Sequence, residues 1–356
     1  MRLVHTEVLS GLAANPALPP ALLARFVADA DDELSAELAR RADLTADLEH
    51  VLAGRASVED PAAMLVDPDP LVRMRLACWP GIGAAAVEAL ARDPDVDVLT
   101  SAAACQPLSA EVVAELMRDA RPELLKALAR NHHLPSAVLA VLAENDDEET
   151  HIALAENPGT PVEVLLPWLE HTGVHVRWAL ARRTDLPVDA YERLAEDSLP
   201  GAQRDVAANP ALAETERGRA LVARLALSDD RWLLQRLVHN PAIELGALER
   251  IVPNVRVGPV LLPRIARATT AELHVLAASP VPQVRALLAY RPDLPGDLVA
   301  ALLKGAKLKV LRALAAQRAL PVESIVDFVR GADVRAARAA AANPSLPVAE
   351  MERLLA

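Results

Sequence analysis

The chain has 356 residues, with 37 basic and 49 acidic side chains and a formal net charge of −12 at pH 7. Hydrophobic residues make up 52% and aromatics only 2%, and this excess of Ala and Leu over aromatic residues favours helix over sheet. That excludes a β-sandwich, a β-barrel or a large parallel sheet, and the apolar content excludes a disordered chain.

No uninterrupted apolar stretch of about 18 residues predicts a membrane span. The first residues, Met1 to Glu7, lack the apolar core of a secretory signal. The two cysteines offer no disulfide framework. The expected compartment is therefore the cytoplasm. The basic residues are 33 Arg against 4 Lys, a codon bias expected of a GC-rich bacterial genome.

The chain repeats itself. Leu12-Ala13-Ala14-Asn15-Pro16-Ala17-Leu18-Pro19 returns as Leu154-Ala155-Glu156-Asn157-Pro158-Gly159-Thr160-Pro161, and again as Ala340-Ala341-Ala342-Asn343-Pro344-Ser345-Leu346-Pro347. With the Asn as position 0, anchors fall at Asn15, Arg41, Trp79, Cys105, Asn131, Asn157, Arg183, Asn209, Asn240, Arg267, Arg291, Gln317 and Asn343. Steps from Trp79 to Asn209, and from Arg291 to Asn343, are all 26 residues. Three places break the period: an insertion near 54–66, a surplus near 213–218 and a degenerate unit near 253–279. No Gly/Ser-rich or Pro-rich linker interrupts the array. The expected architecture is one domain over 1–356, an all-α, right-handed α-solenoid of about thirteen two-helix repeats.

Each unit reads as a helix pair. Pro at −9 (Pro70, Pro122, Pro200, Pro282) suits the first helical turn. An acid at −12 (Asp67, Asp93, Asp197) is expected to cap it. Apolar residues at −7, −3 and −2, such as Val72, Leu76 and Ala77, share one face. The Asn-Pro step ends this helix, because a residue before Pro is pushed out of the α region. Pro at +4 (Pro135, Pro161, Pro321, Pro347) opens the second helix, whose inner face carries apolar residues at +8 and +11. Helices this short are unstable alone, so neighbouring units must stack.

The pattern Asn-Pro-x-Leu-Pro-x-x-x-Leu-x-x-Leu-Ala, with the pairs Val72-Arg73, Val176-Arg177 and Val284-Arg285, resembles the leucine-rich repeat variant family, which is HEAT-like in appearance. The resemblance covers nearly the whole chain, with a slightly longer period. It implies an α-solenoid fold and a binding habit. A member of that family carries an iron–sulfur module with clustered cysteines; this sequence has no such cluster.

No motif dictates catalysis, and no cofactor or metal is expected. Gly81-Ile82-Gly83-Ala84-Ala85-Ala86 matches a dinucleotide fingerprint only as a string, with no strand before it. His171 and His175 have metal-pair spacing but fall in a loop of the repeat. Cys78 and Cys105 sit in adjacent units, and helix spacing of about 8–10 Å places them beyond disulfide reach. The run Glu144 to Glu149 reads as a solvated loop. Phe26, Trp168, Phe328 and Tyr191 fall at core positions, whereas Trp79, Trp178 and Trp232 fall outside them and are candidate partner-facing anchors, Trp178 and Trp232 foremost.

Charge is uneven. From Arg256 to the C-terminus the net charge is +6, against −18 before it. Arg285, Lys309, Arg312, Arg335 and Arg338 lie near the first helices of successive units, so a basic stripe is expected, with Arg285, Arg312, Arg335 and Arg338 as its partner-binding residues. The function expected is a non-catalytic scaffold that offers an extended concave surface to a protein partner. Two alternatives stand beside it: a nucleic-acid-binding HEAT-like protein, of the DNA-repair glycosylase kind, using the basic C-terminal third, and an accessory protein to a biosynthetic or redox enzyme. No membrane partner is expected, and oligomeric state is not indicated.

Overall fold

The computed structural model describes residues 2–45, 48, 60–171, 173–198 and 200–356. Every regular element among them is an α-helix or a short 3-10 helix, with no strand. The chain forms two compact units: Val58–Ile243, and Met1–Ser57 together with Glu244–Ala356. Residues 54–59 of the expected insertion lie outside the described residues; Pro61–Leu65, which follows, is a short helix.

The helix pairs follow the proline signals. Pro70, Pro122 and Pro282 each occupy the first turn of a helix. Pro135, Pro321 and Pro347 each stand one residue ahead of the next helix, as its N-cap. The capping acid is not the one expected. It lies at −10, where Asp69, Asp95, Asp147, Asp230 and Asp333 each accept from an amide of their own first turn. An N-cap oxygen must reach the second or third helical N–H, and −12 is two residues too early. The −12 acid serves another purpose. Asp93 and Asp197 pair with Arg73 and Arg177 of the preceding repeat, at 2.8 and 2.5 Å.

The Asn positions form a ladder of buried amides. In the Val58–Ile243 unit, Asn131 Nδ2 donates to Ala103 O and Gln106 O at 2.7 and 2.8 Å. Asn157 Nδ2 donates to Ala129 O and Asn131 O at 2.7 and 3.1 Å. Asn209 and Asn240 repeat the pattern on their own predecessors. Each Asn Oδ1 also accepts from the amide two residues on, as from Gly159 N at 2.8 Å. One side chain thus closes the turn between its own helices and satisfies two carbonyls of the unit before it. Asn240 keeps its rung across the surplus near 213–218, which a 3-10 turn over Pro210–Ala213 absorbs.

Other side chains substitute at this position. Arg183 reaches Asn157 O and Thr160 O, with its guanidinium neutralised by Asp185 at 2.5 Å. In the Trp79-to-Asn131 stretch the rung is Gln106, one residue past the expected anchor Cys105. Arg267, the anchor assigned to the degenerate unit, is exposed and makes no rung among the described residues.

In the other unit the ladder runs Arg291, Gln317, Asn343 and then Asn15. Asn343 Nδ2 donates to Ala315 O and Gln317 O at 3.0 and 2.8 Å. Asn15 Nδ2 donates to Ala341 O and Asn343 O at 2.9 and 2.8 Å. The first repeat of the chain therefore stacks on the last, in the register of the next repeat. Arg41 continues the series onto Ala13 O and Asn15 O. Gly11 lets the helix Arg2–Ala13 approach Val334–Ala341 at backbone contact.

Tyr191 gives a local test of this packing. Its buried hydroxyl donates to Arg183 O at 2.7 Å and accepts from Leu186 N at 3.3 Å. Burial pushes the phenol up to about 12. The folded state favours the neutral form, so its contribution is whole below the unfolded value of about 10 and is lost as pH rises from there to about 12. Tyr191→Phe is expected to lower stability by about 1 kcal/mol at neutral pH and to flatten the alkaline loss. Denaturant titrations from neutral to alkaline pH check both; an unchanged alkaline slope would assign that loss to other groups.

Candidate binding cleft

The degenerate unit breaks the stack. After the helix Leu245–Ile251 and a 3-10 turn over Val252–Asn254, residues 255–262 form no helix before Pro263–Ala266. Pro253, Pro259 and Pro263 remove three amide donors within eleven residues, and Gly258 adds backbone freedom. Where other repeats place a helix, this segment crosses as a loop. Lys309 Nζ donates to Val257 O at 3.2 Å and fastens it to the start of a helix 52 residues on.

A cleft of about 830 Å³ lies beneath this loop, within the unit that contains it. Its basic lining is Arg256, Arg285, Lys304, Lys307 and Lys309, and no described Asp or Glu lines it. Three of the chain's four lysines are thus gathered here. Lys304, Lys307 and Lys309 are exposed, whereas Val252 and Leu287 are buried. Charge therefore sits toward solvent and an apolar surface lies deeper. Partly buried Tyr290 adds one hydroxyl, which makes no hydrogen bond with a described residue; burial pushes its phenol upward, so it stays a neutral donor.

The expected stripe is only partly present. Arg312 is held by Asp333 of the next repeat at 2.6 Å. Arg338 is held by Glu7 and Glu37 at 2.8 and 2.9 Å. Asp333 and Glu7 belong to the repeat that stacks on the arginine and Glu37 to the repeat after it, pairings that charge counting along the chain does not reveal. Arg335 is exposed, with no ion pair to a described residue. Arg285 lines the cleft. Of the tryptophans, Trp232 is 66% exposed. Trp178 is not a free anchor: its indole lies over Gly201, where any side chain would collide with the ring, and its buried N–H has no hydrogen-bond partner among the described residues.

The remaining sequence candidates fall elsewhere. Phe26 and Tyr191 are buried, while Trp168 and Phe328 are half-buried. Gly81 has φ +77° in the loop before Ala84–Leu90, a conformation that suits glycine. The acidic run is only partly a loop, because Asp147 caps a helix that starts at Glu148. His151 Nδ1 and His171 Nε2 approach to 3.1 Å, with His151 stacked on Trp168. The Cys78 and Cys105 sulfurs lie 3.5 Å apart, closer than helix spacing implied, because both side chains sit at helix ends and point into the same gap. They are free thiols, and burial beside Cys78 pushes Cys105 up to about 11. No described helix is long and apolar enough to cross a membrane.

Comparison with protein-family models and with curated proteins gives no match.

Proposed function

We propose that this protein is a non-catalytic binding scaffold, a right-handed α-solenoid of about thirteen repeats, that recognises an anionic ligand at the cleft under residues 255–262. One observation carries the reading: among the described residues, five cationic side chains and no acid line a single cleft in a chain of net charge −12. Arg73, Arg177 and Arg312 are each matched by an acid of the adjoining repeat, whereas Arg285, Lys304, Lys307 and Lys309 have no ion pair with a described residue. The repeat pattern shared with the leucine-rich repeat variant family supports the scaffold part of the reading. A cleft of this size is in the range of small-ligand sites.

The test is a calorimetric panel of anions: phosphate, a fatty carboxylate, an acidic peptide and a short DNA duplex. Binding of at least one is expected, weakening between about 50 and 300 mM salt as screening grows. Lys304→Glu with Lys307→Glu should weaken it at least about tenfold, without lowering the melting temperature. If no anion binds, or if binding ignores both salt and charge reversal, the cleft is not the recognition site.

A further inference from the structure

We infer that Arg285 is the head-group receptor of this cleft and that its ligand is a small amphiphile with one carboxylate or phosphate head and an apolar body. This rests on the cleft reading above and narrows it.

The inference comes from comparing the three Val-Arg repeats. Arg73, Arg177 and Arg285 all occupy position −6. Each turns Nη1 to the carbonyl six residues earlier: Asp67 O at 2.7 Å, His171 O, and Ser279 O at 2.5 Å. In the first two, the other edge of the guanidinium, Nε with Nη2, grips a carboxylate twenty residues on. Arg73 holds Asp93 at 2.8 and 3.0 Å, and Arg177 holds Asp197 at 2.5 and 3.2 Å. Twenty residues beyond Arg285 stands Gly305. It has no carboxylate, and its neighbours are Lys304, Ala306 and Lys307. The Nε–Nη2 edge of Arg285 has no carboxylate partner among the described residues, although the same anchor holds the guanidinium.

A fork held in this way is shaped to take a planar oxyanion with two parallel hydrogen bonds. In two repeats the chain supplies that oxyanion itself. In the third it withholds the acid, places three lysines close by and opens an apolar cleft behind them. Lys304 and Lys307 add charge without competing for the fork. Phosphate alone would leave most of the 830 Å³ unfilled, and the apolar wall of Val252, Leu287, Leu302 and Val310 would have no partner. A duplex or a folded protein surface would meet the lysines but not the deep wall.

The experiment is titration calorimetry of the full chain with decyl phosphate and with decanoate, each below its micelle-forming concentration. Inorganic phosphate and decanol serve as the head-only and tail-only controls. At least one amphiphile should bind roughly 10- to 100-fold more tightly than either control, and which of the two does so identifies the head. Arg285→Lys keeps the charge but loses the fork, and should weaken binding about tenfold. Gly305→Asp restores the acid found in the other repeats. A Cβ there meets nothing within 4 Å, and Asp tolerates the backbone at φ +69° better than most residues. This variant should lose binding while remaining folded, because its own carboxylate takes the fork.

Equal binding of phosphate and amphiphile would overturn the amphiphile and leave the cleft reading intact. Binding that survives Arg285→Lys and Gly305→Asp but fails in the lysine reversals would overturn the role of Arg285 alone. Binding of DNA or acidic peptide without binding of either amphiphile would overturn the ligand class. Failure of every anion, or binding that ignores both salt and charge reversal, removes both this inference and the reading beneath it.

Discussion

Asn157→Ala is expected to destabilise the protein by about 2–4 kcal/mol. The side chain is buried and makes three hydrogen bonds: two from Nδ2 to Ala129 O and Asn131 O, and one accepted from Gly159 N. Alanine removes all three: Ala129 O loses its side-chain donor, and Asn131 O keeps only the Leu134 amide at 3.3 Å. The cost of stranding buried polar groups exceeds the net gain of an ordinary hydrogen bond, so the loss should be larger than for a surface Asn. Asn157→Asp separates the two roles. It keeps the acceptor for Gly159 N but offers no donor to the carbonyls, and it buries a charge, so it should be at least as damaging. Urea denaturation measures both variants. Anion affinity at the cleft should not change, because the cleft lies in the other compact unit. A loss below about 0.5 kcal/mol would mean that water replaces the amide, and that the ladder marks the period without holding it together.

Gly11→Ala is expected to loosen the contact between the first and last repeats, at about 2–4 kcal/mol. The expectation runs against local preference. In an isolated helix, Gly to Ala is stabilising by roughly 0.5–1 kcal/mol. Here a Cβ on Gly11 would fall inside the contact shell of the Arg338 carbonyl oxygen and 3.1 Å from the Ala341 Cβ. Backbone cannot rotate aside, so the helix Arg2–Ala13 must back away from Val334–Ala341. That movement stretches the two bonds from Asn15 and the pairs from Arg338 to Glu7 and Glu37. Hydrogen exchange should quicken together over residues 2–13 and 334–341, with helices such as Pro122–Arg130 unaffected. A stabilised variant with unchanged exchange would show that the two helices are not in backbone contact.

Much of this organisation can be read from the sequence, where one residue type answers one physical need. The Asn-Pro step marks the rung and the turn together, and the second Pro marks the next helix start, because proline excludes most alternatives. The roles of the acids are harder to read. Asp at −12 and at −10 look equivalent until geometry shows which oxygen reaches an amide and which meets an arginine of the repeat before. Gln106 was missed because Cys105 keeps the count of 26, whereas the longer Gln side chain reaches the same carbonyls from one residue later. The cleft was missed for a different reason: it arises where the pattern fails. The degenerate stretch and the basic C-terminal third were both visible, but Arg256, Lys304 and Lys307 were not singled out. The signal that finds them is the glycine at 305, in the register where Asp93 and Asp197 stand.

The rung from Asn15 to Asn343 also orders events during synthesis. The helix Arg2–Ala13 is synthesised well before the surface it docks on, which is made about 330 residues later. At the usual pace of about 5–20 residues per second, that is a delay of roughly 15–70 seconds. Throughout it, Val8, Leu12 and Ala13, buried in the finished protein, have no last repeat to cover them. The described rungs of the Val58–Ile243 unit, from Gln106 to Asn240, all lie within it, so it can close as it emerges. During synthesis the chain would therefore carry a folded Val58–Ile243 unit beside an uncovered Arg2–Ala13 helix, and chaperones would meet that helix until Val334–Ala341 is made.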